Sequence, residues 1–91
     1  MGPYDNRSEK ENAGQSSFEE RLLILHNDEI NTFDHVISTL QNICEHDKIQ
    51  AEQCALLTHF KGSCEIKKGA LYELEELRYL LAENSLSVTI D

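Results

Sequence analysis

Residues 22–36 read LLILHNDEINTFDHV, and the way this stretch is parsed decides the fold. An apolar run, Leu22 to Leu25, stops at His26-Asn27-Asp28-Glu29, and a second apolar pattern opens with Phe33 and Val36 a few residues later. A short apolar run bounded by polar residues suits a strand, while the Phe33-to-Val36 spacing suits one face of a helix. The stretch is therefore a strand that passes into a helix through an acidic, amide-bearing elbow. Such an elbow sets hydrogen-bond acceptors beside an apolar helix face. That pairing suits a group that is part cationic and part apolar.

Working outward toward the C-terminus, the period stays helical: Phe33, Val36, Ile37, Leu40, Ile43 and Cys44 form one continuous stripe. Asn31 or Thr32 can accept the free amide hydrogens of the first turn, and Asp34 has the favourable sign for that end of the helix dipole. Glu45-His46-Asp47-Lys48 interrupts the stripe and reads as a turn. A second helix is expected over 49–61, with Ile49, Leu56 and Phe60 toward the core and Ala51, Ala55 and His59 on an adjoining face. Gly62 ends it, because glycine takes the left-handed conformation at little steric cost. Two helices joined by so short a turn pack as an antiparallel pair.

Residues 63–68, SCEIKK, alternate Cys64 and Ile66 with polar neighbours, the mark of a half-buried strand that Gly69 breaks. A third helix follows through Ala70, Leu71, Leu74, Leu77, Leu80 and Leu81, with Glu73, Glu75, Glu76 and Arg78 mostly toward water and Asn84 as a left-handed stop. Residues 86–90, LSVTI, close the chain as a third strand with Leu86, Val88 and Ile90 on one face. The order β-α-α-β-α-β predicts an α+β fold: a two-layer sandwich in which a three-stranded, mainly antiparallel sheet is covered on one face by three helices. The first strand is expected at its centre.

Toward the N-terminus the composition changes. Residues 1–18 contain the only proline, two of the four glycines and little that is apolar, so burial cannot offset their ordering entropy. They are expected to form a disordered extension, and residues 19–91 the domain. A chain of 91 residues allows one modest core, burying roughly 60% of the surface that the unfolded chain exposes. The net charge of −9 opposes phosphate backbones and anionic membrane surfaces, and favours partners that present cationic groups.

No apolar stretch approaches the roughly 18 to 20 residues needed to cross a bilayer, and no basic-then-apolar leader precedes the domain. Cys44, Cys54 and Cys64 are odd in number and lack a CxxC pair, which fits small buried hydrophobes in a reducing, cytoplasmic setting. A metal site drawn from Cys44, His46 and His59 matches no zinc spacing, so neither metal nor cofactor is expected. Nucleophile–base pairs and glycine-rich phosphate loops are missing too, and an enzyme is not expected. The domain is expected to be a monomer.

The segment LHNDEINTFDHV, followed by AEQCALLTHFKGSC and then a helix and a strand ending in Val88-Thr89-Ile90, resembles the ClpS adaptor family of the Clp proteolytic machine. Members carry an Asn-Asp-Asp elbow after the first strand, a gating residue and a valine at the start of the first helix, and a histidine near the end of the second helix followed by an aromatic and a glycine. Here those positions read Asn27-Asp28-Glu29, Phe33, Val36, His59, Phe60 and Gly62. The resemblance spans about residues 20–91. It implies an adaptor that binds proteins whose first residue is Leu, Phe, Trp or Tyr and delivers them to the N-terminal domain of a Clp-class AAA+ unfoldase. In the family such adaptors use a flexible N-terminal extension, which the unfoldase engages.

The resemblance assigns roles that the chemistry can support. A free N-terminus needs acceptors for its ammonium group, which Asn27, a carboxylate from Asp28 or, better, Glu29, and His59 would supply. Charge-assisted bonds of this kind contribute roughly 1.5 to 3 kcal/mol each. A bulky first side chain needs an apolar cavity, which Phe33, Val36, Ala55, Thr58 and Leu86 would line. The chain departs from the family pattern at Glu29, usually Asp; at Phe33, commonly Met; at Ala55, usually methionine-like; and at Thr58, usually Val. Large and small have exchanged places across the pocket, which conserves volume and changes its shape. A second reading keeps the fold without the pocket, as a docking domain comparable to the C-terminal domain of the ribosomal stalk.

Overall fold

The computed structural model describes residues 19–91; the extension expected over residues 1–18 lies outside the described residues. Six elements follow in order: β1 (Arg21–His26), α1 (Phe33–Ile43), α2 (Lys48–Lys61), β2 (Ser63–Gly69), α3 (Leu71–Glu83) and β3 (Ser87–Ile90). The sheet order is β2-β1-β3 with both pairings antiparallel, so the strand of the opening stretch is central. The α+β architecture read from the sequence is the one observed.

Being central explains why Leu22 to Leu25 shows no clean alternation. Leu23 and Leu25 point into the core, 0% and 2% exposed, while Leu22 and Ile24 on the opposite face are half-buried between the flanking strands. The β1–β2 register shifts between Leu23 and Ile24, a bulge that lets Ile66 reach the core. Leu40 of α1, Leu74 and Leu81 of α3, and Leu86 before β3 complete the apolar centre.

α1 packs as its stripe predicts, with Leu40 and Cys44 buried and Val36, Ile37 and Ile43 against them. Thr32 is its cap, accepting the His35 N–H at 3.1 Å. α2 starts at the Asp47 cap, whose carboxylate accepts the Gln50 N–H at 2.8 Å, and it buries a different face from the one expected. Ala51, Cys54, Ala55 and Thr58 face inward, whereas Ile49 and Phe60 are 69% and 76% exposed and Leu56 is also exposed. Small side chains on the inner face let the helix backbone approach its neighbours closely. A face of Ile, Leu and Phe would hold it off.

Gly62 ends α2 at φ 96°, as expected of a left-handed stop. At the end of α3 the left-handed residue is Ser85, at φ 70°, and not Asn84, which stays at φ −96° and uses its side-chain amide to donate to Leu80 O at 2.9 Å. The three cysteines are free, Cys44 and Cys54 buried and Cys64 half-buried. Burial pushes the Cys44 and Cys54 thiols up from their ordinary value. His46 is buried beside β2 with Nε2 donating to Ile66 O at 3.1 Å. Among the described residues no helix is long and apolar enough to cross a membrane, and no group of His, Cys, Asp or Glu is placed to hold a metal ion.

Candidate functional site

The elbow after β1 is shaped by one carboxylate. Asp28 Oδ1 accepts the backbone N–H groups of Ile30 at 3.1 Å and Asn31 at 3.2 Å, the local bonding by which Asp turns a chain on itself. Both of its oxygens also accept from Asn31 Nδ2 at 3.0 Å, and Oδ2 accepts the Ser87 hydroxyl at 3.2 Å. Asn31 Nδ2 donates further to Ser85 O at 2.8 Å, and the His35 ring meets Asn84 O at 2.8 Å. These bonds hold the elbow against the α3–β3 connection. On its other side, the Asn27 N–H donates to Gly62 O at 2.9 Å, which fixes the elbow to the end of α2.

A cavity of about 70 Å³ opens between these two anchor points. Val36 and Phe33 from α1 and Ala55 and Thr58 from α2 give it walls, and Leu86 closes one side. Asn27, Asp28 and His59 bring polar groups to it from the elbow and from α2. The α2 face that the periodicity misassigned is what makes the hollow: Ala55 leaves space where a larger residue would fill it. Thr58, 5% exposed, returns its hydroxyl proton to Cys54 O at 2.8 Å and keeps an oxygen able to accept. Phe33 is 42% exposed and meets the His59 ring edge-on, centroids 6.5 Å apart. Phe60 also meets the His59 ring edge-on, centroids 5.0 Å apart.

Of the residues expected to bind the ammonium group or to line the pocket, Glu29 alone lies outside this lining, and it is exposed. Asp28 turns inward to bond the elbow's own amides, which sends the next side chain outward. The order of preference between the two carboxylates is thus reversed in position, although Asp28 spends its oxygens on the elbow itself. Leu25, His26, Asn31 and Thr32 also line the cavity and were not anticipated. Asn31 and Thr32 read from sequence only as helix caps. Their place in the site follows from the elbow folding back on the α3–β3 connection, contacts that no local pattern carries.

No curated protein matches the chain. Among solved structures, 18 chains do. One is Agrobacterium tumefaciens ClpS2 bound to L-phenylalaninamide, which superposes with a TM-score of 0.75 at 15% sequence identity and covers 82% of this chain and 98% of that one. At that identity the likeness is one of fold. The model of the family described as ATP-dependent Clp protease adaptor protein ClpS matches residues 18–89, nearly all of the folded part. The chain therefore belongs to the ClpS family of Clp protease adaptors.

Proposed function

We propose that this protein binds the free N-terminus of proteins with a bulky apolar first residue and delivers them to a Clp-class AAA+ unfoldase in the cytoplasm. The observation that carries the reading is the convergence of Asn27, Asp28 and His59 on a cavity whose walls are Val36, Phe33, Ala55, Thr58 and Leu86. An α-ammonium group needs acceptors, and the side chain attached to the same carbon needs an apolar hollow; within a polypeptide only the N-terminal residue presents both at once. L-phenylalaninamide, the molecule bound to the similar ClpS2, has that composition.

Within this reading the roles divide by what each group has left to give. Asn27 Oδ1 and a ring nitrogen of His59 accept from the ammonium. Asp28, its oxygens engaged by the elbow, contributes negative charge nearby, and Glu29 adds to that field without contact. The cavity is under half of the ~150 Å³ that accepts benzene in an engineered core, so entry of a leucyl or aromatic side chain requires Phe33 to swing outward. Its exposure lets it do so without disturbing the buried leucines. Burying a Leu or Phe side chain there contributes roughly 1.5 to 3 kcal/mol.

The test is a titration of peptides beginning with Leu, Phe, Tyr, Trp or Arg, each with a free and an acetylated amine. Loss of one charge-assisted bond, roughly 1.5 to 3 kcal/mol, predicts a drop of about 10- to 100-fold on acetylation, and a similar drop for Asn27→Ala or His59→Ala. Equal affinity for free and blocked peptides would remove the N-terminus reading and leave the docking one.

A further inference from the structure

An α-ammonium group carries three hydrogens, and each needs an acceptor once the group leaves water. The reading proposed above provides two, Asn27 Oδ1 and a ring nitrogen of His59. Asp28 is already occupied. Its Oδ1 takes the backbone N–H groups of Ile30 and Asn31 and a hydrogen of Asn31 Nδ2, while its Oδ2 takes the Ser87 hydroxyl and shares Asn31 Nδ2. These contacts fill the roughly four lone-pair sites of a carboxylate. Among the other polar side chains of the lining, Thr32 Oγ1 accepts the His35 N–H, His26 Nε2 meets Thr89 Oγ1 at 2.7 Å, and Thr58 belongs to the α2 wall.

Asn31 is placed to complete the set. It belongs to the elbow, is half-buried and lines the same cavity. Its amide cannot turn over. Nδ2 lies 3.0 Å from both Asp28 oxygens and 2.8 Å from Ser85 O, so its two hydrogens are committed, and a flipped amide would set its own oxygen against the same three oxygens. The side-chain bonds that Asn31 makes among the described residues all run through this nitrogen. Oδ1 is thereby held on the side away from Asp28 and Ser85, with two lone pairs to offer. Donation from the same amide to a carboxylate and to a peptide carbonyl draws electron density onto Oδ1 and strengthens it as an acceptor.

We infer that Asn31 Oδ1 is the third acceptor for the ammonium group, so that the site counts N–H bonds and binds a primary amine more tightly than a secondary one. The inference rests on the N-terminus reading and narrows its ligand class: an N-terminus that carries one methyl group, although still cationic, is discriminated against. Attraction to the Asp28 and Glu29 charges alone would draw both cations equally.

The probe is a short peptide amide beginning Phe-Ala, in free-amine, N-methyl and N-acetyl forms, titrated calorimetrically into the full chain. The expected result for the wild type is that the N-methyl form, one N–H poorer, binds about tenfold or more weakly than the free amine. In Asn31→Ala the free amine should lose about 10- to 100-fold, and the N-methyl penalty should fall below about threefold, because two hydrogens then meet two acceptors. His35→Ala removes the ring contact with Asn84 O and loosens the same anchor without touching Asn31, so it should keep the penalty. NMR supplies a readout that does not depend on how a variant folds: the Asn31 side-chain amide signals of the wild type should move on saturation with the free amine and move less with the N-methyl form. Equal binding of the two cations, a penalty that persists in Asn31→Ala, or unmoved Asn31 signals would each overturn the inference while a preference for free over acetylated amines stands. Equal affinity for the free and acetylated forms would remove the N-terminus reading itself, and this inference with it.

Discussion

Helices α1 and α2 lie side by side and treat their apolar residues in opposite ways. α1 packs the stripe that its periodicity marks into the core from Val36 to Cys44, led by Leu40, and leaves its first member, Phe33, exposed at the cavity. α2 turns Ala51, Cys54, Ala55 and Thr58 inward and leaves Ile49, Leu56 and Phe60 in water. The difference teaches that size competes with hydrophobicity for the inner face. Where a helix must lie close to its neighbours and border a hollow, small residues win although larger apolar ones are available.

The largest effect that would break this comparison is in α1. Leu40→Ala removes a side chain that is 0% exposed, and urea unfolding should show a loss of about 2 to 5 kcal/mol. On α2 the dangerous change runs the other way: Ala51→Leu overpacks a position that is also 0% exposed and should cost about 1 to 3 kcal/mol. Ala55→Leu tests the same logic at the cavity, and it should abolish binding of a peptide with a free N-terminal Phe while the fold persists. The two helices should respond alike at their caps, Thr32→Ala and Asp47→Ala each costing about 1 kcal/mol.

One buried thiol near the end of α1 and one within α2 give a further point of likeness. Burial raises the folded pKa of Cys44 and Cys54 above the ordinary value of a cysteine thiol, so the stability that goes with keeping them protonated is full below that ordinary value. It falls as pH rises, because the unfolded chain ionises first. Thermal scans between neutral pH and pH ~10 should show Tm dropping, and Cys54→Ala should flatten the drop. The smallest effects belong to the misassigned face: Ile49→Ser and Phe60→Ser should each change stability by no more than about 0.5 kcal/mol. A loss near that of Leu40→Ala would mean that α2 packs as its large residues suggest.

The opening stretch was legible because its two periods, one of a strand and one of a helix, meet at residues that favour turns. The class, the element order and the central place of β1 followed from it. α2 was misread because its apolar residues surround the helix, so that periodicity alone selected no face. Asn84 was expected to be left-handed from its residue type. The chain instead gives that conformation to Ser85, because Asn84 bonds back to Leu80. At the site, Asn27, Asp28, His59 and the five wall residues were named from the resemblance, and all line one cavity. Glu29 does not, since the direction of its side chain depends on bonds that Asp28 makes with Ser87, far away in the chain.

The peptide group of Gly62 has a consequence beyond ending a helix. Its carbonyl accepts the Asn27 N–H at 2.9 Å while its own N–H donates to Thr58 O, so a clasp of main-chain atoms alone sets the spacing between the two rims of the cleft. The upholstery can then be exchanged residue by residue, as Phe33, Ala55 and Thr58 illustrate, without the frame changing its dimensions. Placing a side chain at position 62 would meet no neighbour but would strain the backbone at φ 96°, and so would loosen the jaw itself and not what it grips.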